Sequence, residues 1–208
     1  MNFNNMKKLK VPEKYVILGL LPILLIAGIF YLNVQTNRNP VTEIHDQSYQ
    51  LEAKFASLSN AGTNFCAGPN FIGSLKDGDR LQGSCCAPMD FDRYVEQVKG
   101  LKKYASISVI PSDPYDISVS LAKDMMDYDK TYLLTAEQQT IYDNAMKMSD
   151  EHGPCCCKCW RWAAFEGQAK YLIKNLDFTE KQIAEVWDLE DGCGGRENND
   201  RQTRQPTI

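Results

Sequence analysis

The chain has 208 residues, 43% of them hydrophobic, with a formal net charge of -4 and a pI near 5.3. That length allows one ordinary domain plus accessory segments, and the acidic balance, with no basic stripe interleaved with aromatics, excludes nucleic acid as a partner. Two histidines, His45 and His152, stand against eight cysteines, so any soft chemistry must run through sulfur.

Residues 1–14 carry Lys7, Lys8, Lys10 and Lys14 and read as a cytoplasmic basic segment. Residues 15–34 read as a transmembrane anchor, because Tyr15 to Leu32 is an uncharged apolar run of 18 residues. With its flanks, at about 1.5 Å per residue, it nearly crosses a hydrocarbon core of about 30 Å. Tyr15 and Tyr31 lie where interfacial aromatics belong, and Pro22 and Gly28 are tolerable inside a membrane helix. Only Arg38 follows the run closely, so the positive-inside rule keeps the N-terminus in the cytoplasm and sends everything after residue 34 across the membrane. A cleaved signal peptide is the alternative. Against it, the run exceeds a usual h-region and no A-x-A-like site follows. The expectation is a single-pass protein of the cell membrane that meets the lipid bilayer through residues 15–34 and exposes an extracytoplasmic C-terminal domain.

Residues 35–47 are polar, contain Pro40 and read as a stalk; residues 48–193 make up the domain. Leu51, Phe55 and Leu58 recur at helical spacing over 48–59. Residues 60–88 are rich in Gly, Asn, Ser and Pro and predict a long loop carrying Cys66, Cys85 and Cys86, with those cysteines as its fasteners. Asp90 can cap a helix to about Tyr104, and SISVI (106–110) reads as a short strand stopped by Pro111. A helix over 117–127 repeats Ile117, Leu121 and Met125. Thr135–Gln138 and Thr179–Gln182 are capping-box patterns that open two more helices. Residues 194–208 lack apolar content and predict a disordered tail. The expected fold is therefore mainly α: a transmembrane helix followed by a cysteine-rich helical domain with a long Gly/Asn-rich loop.

Residues 151–162 read EHGPCCCKCWRW and hold half of the cysteines. Proline is favoured at the first helical position, so Pro154 predicts a central helix from about Cys155 to Asn175, with both tryptophans in the core. The cysteines would then occupy its first turns, where unpaired N–H groups and the macrodipole favour thiolate. Three uses of the sulfur compete. The outward compartment and even count suit disulfides, each cysteine of the cluster (Cys155, Cys156, Cys157, Cys159) holding one outside it (Cys66, Cys85, Cys86, Cys193). As thiolates the same residues, with His152 in reach, suit a soft ion: copper by softness and compartment, then zinc or an iron–sulfur cluster. Cys156 and Cys159 also form a C-x-x-C pair of the thiol–disulfide oxidoreductase type, but without the preceding strand such enzymes use.

Pro154, Cys155, Cys157 and Cys159 match the P-C-Y-C-G-C signature, and the segment resembles a family of uncharacterised extracytoplasmic, membrane-anchored proteins that carry it. Cys156 stands where that family has tyrosine and Lys158 where it has glycine. The resemblance covers six residues and implies an outward-facing cysteine site without implying an activity.

Asp124, Asp127 and Asp129 lack the calcium-loop pattern and read as a solvated helix end. No phosphate loop and no G-x-S-x-G elbow occur, so hydrolase chemistry has no support and the chain does not read as an enzyme. The expected function is soft-metal handling at the membrane surface, copper favoured. The runner-up is a disulfide-stapled module that binds a membrane or envelope protein.

Overall fold

The computed structural model describes residues 40–194, with side chains from Ser48 onward. The expected anchor at 15–34 and the tail from 195 lie outside the described residues. Among those described, no helix is long and apolar enough to cross a membrane. Contacts divide the chain into residues 1–50 and 51–208; the second unit is the one described below.

The described residues are mainly helical. In chain order they form α1 (Pro40–Ser59), α2 (Asn70–Gly73), β1 (Arg80–Gln82), α3 (Phe91–Leu101) running into a 3-10 turn (Lys102–Tyr104), β2 (Asp116–Ser118), α4 (Val119–Thr131), α5 (Ala136–Met148), α6 (Trp160–Leu176) and α7 (Glu180–Glu190). The starts follow local chemistry. Asp90 accepts from the Arg93 N–H at the head of α3, and Ser118 from Leu121 at the head of α4. Thr135 with Gln138, and Thr179 with Gln182, close reciprocal capping boxes on α5 and α7.

Four expectations change. First, α1 begins at Pro40, inside the stretch expected as stalk, in keeping with proline at a first helical position. Second, residues 60–88 are not an unbroken loop. They contain α2 and β1, and β1 pairs antiparallel with β2, Leu81 opposite Ile117. Backbone bonds fasten this segment as much as sulfur does, among them Gly83 N–H to the Tyr115 carbonyl at 2.9 Å and Val119 N–H to the Asp79 carbonyl at 3.0 Å. Third, SISVI is a pair of successive turns, with Ile107 N–H on Tyr104 O and Ile110 N–H on Ile107 O. Val109 and Ile110 are buried there without a strand partner. Fourth, α4 starts at Val119, because Ile117 belongs to β2 and Ser118 supplies the cap.

Helix α6 is central. Trp160, Ala164, Phe165, Ala169 and Leu172 pack with Ala122 and Met125 of α4, Tyr142 of α5, and Ile183 and Trp187 of α7. Burying each large apolar side chain contributes roughly 1.5–3 kcal/mol. The Trp187 indole keeps its polar atom satisfied by donating to the Phe165 carbonyl at 3.2 Å. At Gly167 the backbones of α4 and α6 come so close that a Cβ would meet Met125 O and Asp129 N. A second cluster joins Leu58 of α1 to Tyr94 of α3 and to Tyr115. There the Tyr94 hydroxyl donates to Asp113 at 2.9 Å, and Lys54 pairs with the same carboxylate at 3.0 Å.

Candidate functional site

The cysteines sit at the boundaries of these elements. Cys66 precedes α2, Cys85 and Cys86 follow β1, Cys155–Cys159 precede α6, and Cys193 follows α7. Backbone pairing brings the segments together. Cys85 N–H bonds Gly192 O, Cys86 and Ala87 N–H both bond Cys193 O, and Trp160 N–H bonds Ala67 O at 2.8 Å.

The result is one sulfur cluster containing all eight cysteines. Cys66 and Cys157 sulfurs lie 2.8 Å apart, and Cys156 and Cys193 2.9 Å. Cys155 lies 3.5 Å from Cys193 and 3.8 Å from Cys159. Cys85 lies 3.5 Å from Cys86 and 3.9 Å from Cys193, and Cys86 lies 4.0 Å from Cys156. None of these cysteines is disulfide-bonded. Three triads have all sulfurs within 4.8 Å of one another: Cys66–Cys86–Cys157, Cys85–Cys86–Cys193 and Cys155–Cys156–Cys157. Cys155, Cys159 and Cys193 form a buried floor; Cys66, Cys86 and Cys156 are exposed. His152 is exposed, in a left-handed conformation, and joins none of the triads.

One correction concerns where α6 starts. Residues 155–159 are a run of bends, and the helix begins at Trp160 with Cys159 as its N-cap. In a helix, three consecutive side chains diverge by about 100° each. The bends release Cys155, Cys156 and Cys157 from that divergence, and their sulfurs converge.

A second correction follows for protonation. Burial, then the contact with Cys66, push the Cys157 thiol up, and the contact with Cys155, then burial, do the same to Cys159. In Cys155 the Cys159 contact pulls down but is outweighed by the Cys193 contact and burial. In Cys193 the Cys155 contact pulls down but is outweighed by the Cys85 contact and burial. These thiols are therefore protonated at neutral pH, against the expectation of helix-stabilised thiolates. A ligand that takes them as thiolates must displace protons.

Trp160 is core, as expected, but Trp162 is only half-buried and packs on the cysteines, with the Lys158 ammonium 5.1 Å from its ring centre. Asp124 and Asp127 line an open cleft between α2 and α4, whereas Asp129 pairs with Lys170 at 2.6 Å.

The sequence reading missed a buried polar group beneath the cluster. Arg161 is 1% exposed and donates to the backbone carbonyls of Pro114 and Glu190. Gln168 donates to Val109 O at 2.8 Å and to the Glu190 carboxyl at 2.6 Å. Burial pushes that carboxyl up to about 8, although Gln168 and Arg161 oppose the shift. At Gly192 a Cβ would strike the Arg161 guanidinium, so the residue before Cys193 must be this small. Only the glycine before a cysteine hinted at this crowding.

Comparison of the chain with protein-family models, curated proteins and solved structures gave no match.

Proposed function

We propose that this chain is a single-pass membrane protein, N-terminus inside, whose extracytoplasmic domain binds a soft metal ion through thiolates, copper first and zinc or iron–sulfur next. The observation that carries the reading is the convergence of all eight sulfurs from four separate segments. One buried thiol fills a core as well as an alanine does; eight in contact call for a common ligand. A tetrahedral thiolate site with metal–sulfur bonds of about 2.3 Å has sulfur–sulfur edges of about 3.8 Å. The contacts of 3.5–4.0 Å around Cys85, Cys86, Cys155, Cys159 and Cys193 match that edge. Soft sulfur donors select Cu(I), zinc or iron–sulfur centres over hard cations.

A specific observation favours the disulfide-stapled interaction module as the second reading. Cys66–Cys157 and Cys156–Cys193 are the two closest pairs, and each joins distant segments. An oxidoreductase has less support. Cys156 contacts Cys193 and Cys86 while Cys159 contacts Cys155, and the Cys159 thiol is raised where a nucleophile needs it lowered.

The test uses the full chain, purified in detergent without chelator. Alkylation followed by intact mass counts free thiols, denaturation in chelator then exposes those held by metal, and elemental analysis names the ion. The metal reading expects bound metal and masked thiols. Eight sulfurs in four disulfides with no metal would overturn it in favour of the stapled module.

A further inference from the structure

We propose that the cluster holds three Cu(I) ions, each in a trigonal three-sulfur site, with Cys86 and Cys157 as thiolates that bridge neighbouring ions. This rests on the soft-metal reading above and adds the ion count, the coordination and the bridges.

The three triads are not separate. Cys86 belongs both to Cys66–Cys86–Cys157 and to Cys85–Cys86–Cys193, and Cys157 belongs both to Cys66–Cys86–Cys157 and to Cys155–Cys156–Cys157. Nine ligand positions are thus filled by seven sulfurs, because two serve twice. A thiolate has lone pairs enough to bind two ions, so shared membership is the arrangement of a bridged cluster. Sites of three sulfurs suit Cu(I), which accepts trigonal coordination, better than zinc, which takes four ligands in structural sites. Cys159 lies outside the triads, 3.8 Å from Cys155, as a buried sulfur under the third site.

A second observation points to anionic content. Arg161 is a buried cation whose hydrogen bonds go to neutral backbone carbonyls, and among the described residues it forms no ion pair with a carboxylate. Its charge favours the thiolate form of Cys85. Burying a guanidinium without a counter-charge is costly. A copper–thiolate cluster, which has more thiolates than ions, supplies that counter-charge from the side where Cys85 lies.

Loading balances simply. Each thiol gives its proton to the buffer as its sulfur–copper bond forms, and copper stays Cu(I), so no electrons move. Cys66, Cys86 and Cys156 are the exposed sulfurs through which ions enter.

The experiment titrates the reduced full chain in detergent, without oxygen, with Cu(I) delivered as its acetonitrile complex. Native mass spectrometry counts ions, and X-ray absorption reads the first shell and any copper–copper distance. The expected result is saturation at three ions, an all-sulfur first shell and a copper–copper shell. Cys86→Ser and Cys157→Ser should each lose two ions and keep one, whereas Cys85→Ser and Cys156→Ser should each lose one and keep two. Circular dichroism confirms helical content for each variant, and the unsubstituted chain gives the count and the copper–copper shell independently of any variant. Saturation below three, a missing copper–copper shell, or equal losses at bridging and non-bridging positions overturns the cluster. A single copper bound by sulfur overturns it but leaves the soft-metal reading standing; no copper bound by the reduced chain overturns both.

Discussion

Cys66 and Cys157, ninety-one positions apart in sequence, place their sulfurs 2.8 Å from one another. This contact and the Trp160–Ala67 backbone bond hold the segment before α2 against the head of α6. The rest of the cluster is graded in depth from there, and reactivity should follow the grading. In reduced, metal-free chain, iodoacetamide should modify Cys66, Cys86 and Cys156 first, and Cys155, Cys159 and Cys193 last. Peptide mapping over time reads the order; uniform rates would show that no buried floor exists.

The helix contact at Gly167 gives a stability prediction. Gly167→Ala puts a methyl against the backbone of α4 at Met125 and Asp129, where no side chain can yield. Overpacking of this kind costs about 1–3 kcal/mol. Denaturant unfolding should show the loss. An unchanged midpoint would mean that α4 and α6 separate freely.

Stability should also depend on pH through Glu190. Below its ordinary value of 4.5 the carboxyl is protonated in folded and unfolded chain alike, and its contribution is fully present. Between 4.5 and about 8 the unfolded chain releases the proton while the folded chain holds it, so stability falls as pH rises; above about 8 the loss is complete. The slope is at most about 1.4 kcal/mol per pH unit. Asp188, pushed up to about 6 mainly by burial, adds to the lower part of that window. Glu190→Gln keeps the acceptor for Gln168 and should remove the slope above about 6 while leaving the part due to Asp188. Denaturation midpoints across the window, on reduced metal-free chain, check this. A variant with an unaltered profile would rule out Glu190 as its source.

The lysines before residue 15 and the uncharged run after them predict that residues 35–208 are cut by protease added outside intact cells. A truncation starting near Gln35 should be soluble. Protection of the C-terminal part in intact cells would contradict the topology.

What could be read from the sequence was whatever a few neighbouring residues decide. Asp90, Thr135 and Thr179 announced their helices because a cap and its partner lie within one turn. The apolar spacing of Trp160, Ala164 and Leu172 announced a central helix for the same reason. Pro154 misled: its preference for a first helical position carried the expected start into the cysteines, whereas the helix waits for Trp160. β1 and β2 are three residues each and exist by pairing with each other, so neither shows a pattern of its own. The candidate ligands were legible as cysteines, but their grouping into triads depends on Cys85, Cys86 and Cys193 meeting across long separations. Arg161, Gln168 and Glu190 look in sequence like ordinary solvated letters of two helices; only tertiary packing buries them.

The order of the cysteine segments along the chain sets a schedule for synthesis. Cys66, Cys85 and Cys86 emerge first, the Cys155–Cys159 run much later, and Cys193 only when α7 is finished. A nascent chain halted anywhere before residue 193 therefore carries several reactive thiols without the partner that covers them. The backbone bonds from Cys86 and Ala87 to Cys193 close the group last. During export the early sulfurs must wait, open to wrong pairing, until the end of the domain arrives.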